Sequence, residues 1–388
     1  QLDYIGGGGG VGVGTSNTFG TTTGLVGAVE MLFSDILGNN QFFTSLSVNG
    51  EISDFGGAVS YINRSSRFTW GATLSHIPFR SAGFGGRGFE QVPIDDNNSF
   101  LALADTFFIQ RIFEQKLGGF AAYPFSQTLR LEGSANATRY SSRLDRYVNL
   151  YQTDGTFIGN LIAQDREKVD SGDAFFLYNF GGALVGDNSY FGLTAPLRGH
   201  RFRFGAEQYY GEFKFTAATA DFRIYKFFKP IGLAFRAMHY GRYGDDANAL
   251  FPIYVGNPWY VRGYNNTNTE RALLENGQSF DQLVGSKIGV ANFEIRIPFT
   301  GPERLSLIKS GFLFSDLNFF IDGAIAWNDF DQFNPPEDSG IMEAEPIFSM
   351  GASLRVNLFG AIIVEPFYAV PLLDNASGTF GLNFLPGW

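Results

Sequence analysis

Apolar and polar residues alternate along stretches of this chain that are too long for the strands of an ordinary soluble sheet. From Leu129 to Tyr140, one face carries Leu129, Leu131, Gly133, Ala135 and Ala137, and the other carries Arg130, Glu132, Ser134, Asn136 and Thr138. From Ile288 to Phe299, the residues Ala291, Phe293, Ile295, Ile297 and Phe299 oppose Asn292, Glu294 and Arg296. From Ser349 to Leu358, Met350, Ala352, Leu354, Val356 and Leu358 oppose Ser349, Ser353, Arg355 and Asn357. A period of two is the mark of a strand with two different faces. Soluble strands typically run about 5–6 residues, whereas several runs here last roughly 10–14, enough to cross a bilayer at a tilt. Charges on one face are cheap toward a wet lumen and cost about 2–4 kcal/mol toward lipid. The pattern predicts an all-β membrane protein, an antiparallel transmembrane β-barrel.

Composition agrees with that class. The chain has 49 Gly, 43 Phe and 17 Tyr, yet its mean hydropathy is only -0.04. A large buried core would raise aromatic content and hydropathy together; aromatic girdles on strands that also face water raise only the first. No run of about 18 apolar residues occurs, so a spanning helix is excluded, and lipid tolerates a sheet only as a closed barrel without unpaired edges. With 0 Cys there is neither a disulfide framework nor a thiolate metal site. A net charge of -10 argues against a nucleic-acid partner, which needs a basic surface. The chain starts at Gln1 with neither Met nor an apolar signal segment, which suggests a processed or excised end with upstream sequence lost.

About sixteen alternating runs are spread between residues 2 and 388. Short turns at 63–66, 124–127, 229–231 and 358–360 are expected on the periplasmic side, and long polar connections near 78–100, 147–172, 244–283 and 329–345 on the outside. An even strand number puts both termini on the periplasmic side. The connections near 187–198 and 300–313 are longer than this rule allows. With neither a 20–50-residue repeat nor a linker, residues 1–388 read as a single barrel domain.

The longest connection holds Val261-Arg262-Gly263-Tyr264. Glu294 lies on the polar face of the following strand, and Asp322 lies on the polar face of Leu317–Trp327, opposite Phe319, Ile321, Gly323, Ile325 and Trp327. Two carboxylates facing inward from adjacent strands repel each other unless a cation sits between them. Arg262 supplies a planar, permanently charged fork, Gly263 permits a sharp turn and a close approach to the wall, and Tyr264 offers a ring to pack there. This arrangement predicts a loop folded inward and held by a buried ion pair.

In these residues the chain resembles the BamA/TamA/FhaC superfamily, the bacterial surface antigen family of outer-membrane assembly and secretion barrels. Val261-Arg262-Gly263-Tyr264 is similar to the signature of that family's sixth extracellular loop, with Tyr where Phe is commoner. Asp322-Gly323 and Trp327 resemble its strand-thirteen motif and Glu294 its strand-twelve acid, while Phe380, Gly381, Leu382, Phe384 and Trp388 resemble its C-terminal strand signal. The opening from Leu2 to Asp35 resembles more weakly a branch in which a β-propeller-like domain precedes the barrel. The resemblance implies a sixteen-stranded barrel with an inward-folded sixth extracellular loop, in the bacterial outer membrane, handling client polypeptides amid lipid and lipopolysaccharide with periplasmic or surface accessory proteins. It also implies a seam between first and last strands that opens into lipid. Gly6, Gly7, Gly8, Gly9 and Gly10 bring no side chains to that seam, and Pro386, followed by Gly387, cannot donate a ladder bond. A glycine-rich strand that merely relieves crowding at closure is the equal alternative.

Other signals lead nowhere further. The run Gly6–Gly12 has neither a following helix nor the Lys-Ser/Thr of a nucleotide-binding loop. His76, His200 and His239 fall in separate strands without metal-ligand spacing, so no metal and no cofactor are expected. The acid pairs Asp95-Asp96 and Asp245-Asp246 read as solvated loop charge. Nothing places a nucleophile, and no catalysis is expected. Three function classes follow: an assembly, insertion or translocation barrel; a membrane anchor or surface-display barrel for an upstream domain; and a passive pore.

Overall fold

The computed structural model describes residues 1–16, 20–50, 54–95, 98–153, 158–264, 267–277, 279–336, 342–358, 360 and 362–385. Its residues group into two units, Gln1–Ala122 with Ser134–Asn179, and Tyr123–Gly133 with Phe180–Trp388. Most of the described residues are in strands, and none of the described helices is long and apolar enough to cross a membrane.

In the first unit, β1 (Leu2–Ser16), β2 (Gly20–Ser34), β3 (Asn40–Gly50), β4 (Phe55–Asn63), β5 (Thr69–Asp95) and β6 (Asn98–Pro124) pair consecutively and antiparallel. The C-terminal half of β7 (Leu129–Thr153) pairs with β8 (Ile158–Val169), and β9 (Phe175–Asp187) follows. The expected long loops at 78–100 and 147–172 are instead ladder: β5 and β6 are 27 residues each, and β7 with β8 extends a hairpin in the same way. Pro78, Pro93 and the glycines of 83–88 read as loop residues, but cross-strand partners outweigh their low strand propensity. Arg87 grips Asp105 at 2.6 Å, Phe84 meets Phe107 edge-on at 5.2 Å, and Arg146 pairs with Glu167. A bulge between Phe84 and Gly86, where Gly86 takes a φ of 143°, absorbs the irregularity. This unit has its own buried ion cluster, in which Arg111 bonds Asp54 at 2.8 Å and also Asp145.

The second unit contains β10 (Tyr190–Phe191), β11 (Pro196–Gly211), β12 (Phe215–Phe228), β13 (Ile231–Tyr243), β14 (Ile253–Tyr254), β15 (Val284–Gly285), β16 (Lys287–Gly301), β17 (Ile308–Lys309), β18 (Phe314–Trp327), β19 (Ile347–Leu358), β20 (Ile362–Pro371) and β21 (Thr379–Leu385), with one α-helix, α1 (Thr267–Glu275). Strands β11, β12, β13, β16, β18, β19, β20 and β21 form an antiparallel series. The two-residue β17 runs parallel to the end of β16.

Burial in this unit is inside out. On β18, Phe319 and Ile321 are 46% and 50% exposed, while Asn318 and Asp322 on either side of them are fully buried. Phe348 and Met350 of β19 are likewise exposed, and Ser349 and Arg355 are buried. A soluble sheet places its apolar face inside; this one turns it outward, as a lipid solvent requires. Ile321→Arg is therefore expected to cost about 2–4 kcal/mol when the protein is folded into vesicles and unfolded with urea, and a change within the ±0.5 kcal/mol of ordinary surface substitutions contradicts a lipid-facing position.

Candidate functional site

The connection from β13 to β16 is held to the sheet before any charge is considered. Strands β14 and β15 pair into a short neck, and the Val255 N–H donates to the Leu283 carbonyl at 2.9 Å. Val255, Val261, Tyr264, Leu273 and Leu283 from the connection then pack on Ile288, Val290, Ala324, Ala326 and Ile347 from β16, β18 and β19. Burying this many apolar side chains, each worth about 1.5–3 kcal/mol, gives the connection a core of its own and fixes the backbone around residue 262.

From that backbone the Arg262 guanidinium reaches carboxylates on three strands. Its Nε and Nη2 donate to the two oxygens of Asp322 at 2.7 and 2.8 Å, a two-pronged pair. Nη2 also donates to Glu294 at 3.0 Å, and Nη1 to Glu365 at 3.2 Å. The Arg262 backbone N–H adds a bond to Asp322 at 3.2 Å, and the guanidinium carbon lies 3.4 Å from the centre of the Phe320 ring. Burial works against the charge of Arg262, but Asp322, Glu294 and Glu365 outweigh it and raise its proton affinity above that of an ordinary arginine.

Further charges close the network. Arg296 donates to Glu294 at 2.8 Å, Arg355 donates to the same carboxylate at 3.0 Å and lies 3.3 Å from Glu365, and Ser353 donates to Glu365 at 2.6 Å. Asn292 donates both to Asp322 at 2.9 Å and to the Tyr260 carbonyl at 2.8 Å, tying strand to connection a second time. Arg262, Arg296 and Arg355 thus balance Asp322, Glu294 and Glu365, which is the condition under which buried charges are tolerated.

Gly263 takes a φ of 100°, and a Cβ added there would sit 3.1 Å from the Ala369 methyl and 3.5 Å from Pro371, so both the left-handed backbone and the close approach need glycine. The Tyr264 hydroxyl donates to the Phe348 carbonyl at 2.8 Å, and burial pushes its ionisation up. Val261 is buried beside it. Gly323 faces the opposite, apolar side of β18, where an added Cβ would come within 2.8 Å of the Phe348 ring; its role is to make room there, away from the ion cluster. Gly6 to Gly10 pair with Glu30 to Val26 of β2 in unbroken register. Phe380, Leu382 and Phe384 project from the exposed face of β21, with Gly381 between them opposite Phe367. Pro386, Gly387 and Trp388 lie outside the described residues.

Glu365 escaped the sequence pattern, because the buried face of β20 otherwise reads Phe367, Ala369 and Pro371. The segment 188–195, too long for a turn, also has a visible task. Thr194 bonds Asp316 of β18, the Leu193 carbonyl accepts from Asn357 of β19 at 2.6 Å, and the Pro196 carbonyl accepts from Arg296 at 3.3 Å. It reaches across the polar face to strands distant in the series, which no local pattern announces.

The outward apolar face, the buried polar face and the fastened connection are those of an outer-membrane β-barrel. A family model described as the Omp85 superfamily domain matches residues 115–384, a span that holds every residue of the ion cluster. The chain belongs to the Omp85 superfamily. Its fold is similar to that of BamA from Haemophilus ducreyi lacking POTRA domains 1–3, with 13% identity, a TM-score of 0.54, and 99% of this chain aligned to 69% of that one. CdiB from Escherichia coli aligns at 13% identity with a TM-score of 0.47, and CdiB from Acinetobacter baumannii at 11% and 0.48. The alignments take in 98% and 99% of this chain but only 61% and 58% of those two, less than two thirds of either. No curated protein matches.

Arg262→Met should lower stability by about 3–5 kcal/mol, because it strands buried carboxylates rather than merely deleting a bond. Adding Asp322→Asn should recover part of that loss in urea unfolding from vesicles. Strict additivity of the two changes would show that the pair is not coupled.

Proposed function

We propose that this chain is the membrane barrel of a protein-insertion or protein-translocation machine in the bacterial outer membrane, with sixteen strands, both termini periplasmic and residues 1–388 forming one domain. The observation that carries the proposal is the Arg262 guanidinium bonded to Asp322, Glu294 and Glu365 on three strands. A passive pore has no use for a connection fastened across its polar face by buried charge. A machine that must keep its lumen closed while it handles a polypeptide does.

The chemistry required is non-covalent. A client segment gains free energy by burying apolar side chains in lipid and by pairing its backbone with an exposed strand edge. The edge offered would be that of β1, whose Gly6–Gly10 stretch contributes no cross-strand side-chain pairs. Opposite it would lie the strand bearing Phe380, Leu382 and Phe384. Outer-membrane lipid, lipopolysaccharide, client polypeptides and periplasmic or surface accessory proteins are the partners, and no cofactor takes part.

The test reconstitutes the chain in vesicles and follows insertion or passage of an outer-membrane client by its protection from protease. Arg262→Ala, folded as judged by its strand signal in circular dichroism, should slow client processing by at least about tenfold, since a loss of only ~1.4 kcal/mol from the seated connection already gives that factor. Arg262→Lys should fall between, since it keeps the charge but not the fork. Wild-type rates from folded Arg262→Ala would remove the ion cluster from the mechanism.

A further inference from the structure

A second charged feature on the polar face lies apart from the ion cluster around Arg262. Arg201 of β11 stands directly across from Arg223 of β12, which stands directly across from Arg236 of β13. Directly opposed like charges on neighbouring strands destabilise a sheet, so three arginines in one row are costly unless an anion offsets them. The chain supplies part of the offset. Asp221 is shared by Arg223 at 2.8 Å and Arg236 at 3.0 Å, Asp187 pairs with Arg201 at 3.0 Å, and Glu132 serves both Arg130 and Arg203. In these ion pairs five guanidinium groups share three carboxylates, two more cations than anions, in a protein whose net charge is -10.

These arginines line a cavity of about 590 Å³, roofed by Trp259 and Tyr260 of the connection that carries Arg262. Arg236 donates to the Trp259 carbonyl at 3.0 Å, so floor and roof are joined. A volume of this size lies within the usual range for small-ligand sites, roughly 300–1,000 Å³. Arg130 and Arg203 are each 48% exposed and Arg201 34%, so their guanidinium groups are accessible from the cavity.

We propose that this cavity is a binding site for a phosphate group. A phosphate carries about two negative charges and three strong acceptor oxygens on one small centre. That equals the excess charge of the arginine group, and the planar forks of arginine match phosphate oxygens two at a time. A single carboxylate would supply only half the charge. The site is independent of which polypeptides the barrel handles, and its phosphate has two possible sources, a soluble phosphate compound or a lipid headgroup.

The experiment is calorimetric titration of the whole chain in maltoside micelles, with inorganic pyrophosphate in one arm and a short-chain phosphatidic acid below its micellar concentration in the other. Saturable binding in the first arm assigns a soluble ligand, and binding in the second alone assigns a lipid headgroup. In either case Arg201→Gln and Arg203→Gln should each weaken binding by about tenfold, as loss of a charge-assisted fork does. Asp187→Asn, which removes a competing carboxylate without touching an arginine, should tighten it severalfold and keeps the test meaningful if an arginine variant fails to fold. No binding in either arm, or binding indifferent to all three substitutions, would overturn the proposal.

Discussion

One buried guanidinium organises the second unit of this protein. Three carboxylates project onto the polar face from β16, β18 and β20, and without a cation among them they would repel and carry an unpaid desolvation cost. Arg262 meets all three, but only because the connection bearing it is already packed on β16, β18 and β19 through Val255, Val261, Tyr264, Leu273 and Leu283. Hydrophobic packing places the backbone, and charge then selects one seating of it. The apolar contacts are non-directional; the two-pronged contact with Asp322 is not.

The same face shows how charge is distributed by position. Around Arg262, arginines and carboxylates are equal in number and deeply buried. Around Arg201, Arg203 and Arg130, they are partly exposed and the positive charge is in excess. The first arrangement suits a permanent contact, because each carboxylate that Arg262 meets is already paired. Trp259 and Tyr260 stand between the two groups, so anything filling the arginine-lined cavity touches the chain a few residues before Arg262.

Much of the fold was legible in the sequence because the bilayer imposes a simple rule: one face of each strand must be apolar for its whole length. Alternation therefore identified the faces of β16, β18 and β19, and with them the side on which Glu294 and Asp322 lie. It failed where that rule does not apply. In β5 to β8 the ladders continue as long hairpins stabilised by pairs such as Arg87–Asp105, although Pro78, Pro93 and the glycines of 83–88 suggest loops. Glu365 was hidden because its neighbours on the buried face, Phe367 and Ala369, are apolar. The reach of residues 193–196 to Asp316, Asn357 and Arg296 depends on contacts over a hundred or more residues of sequence, which no periodicity encodes.

The most direct test of the central claim is hydrogen exchange of the chain in lipid nanodiscs, followed on peptides covering residues 255–264. If the connection is fastened by its packing and by Arg262, its amides should exchange as slowly as those of β18, since opening it would break a buried ion network. Exchange there as fast as in the exposed turn around Ile36 and Leu37 would contradict the account.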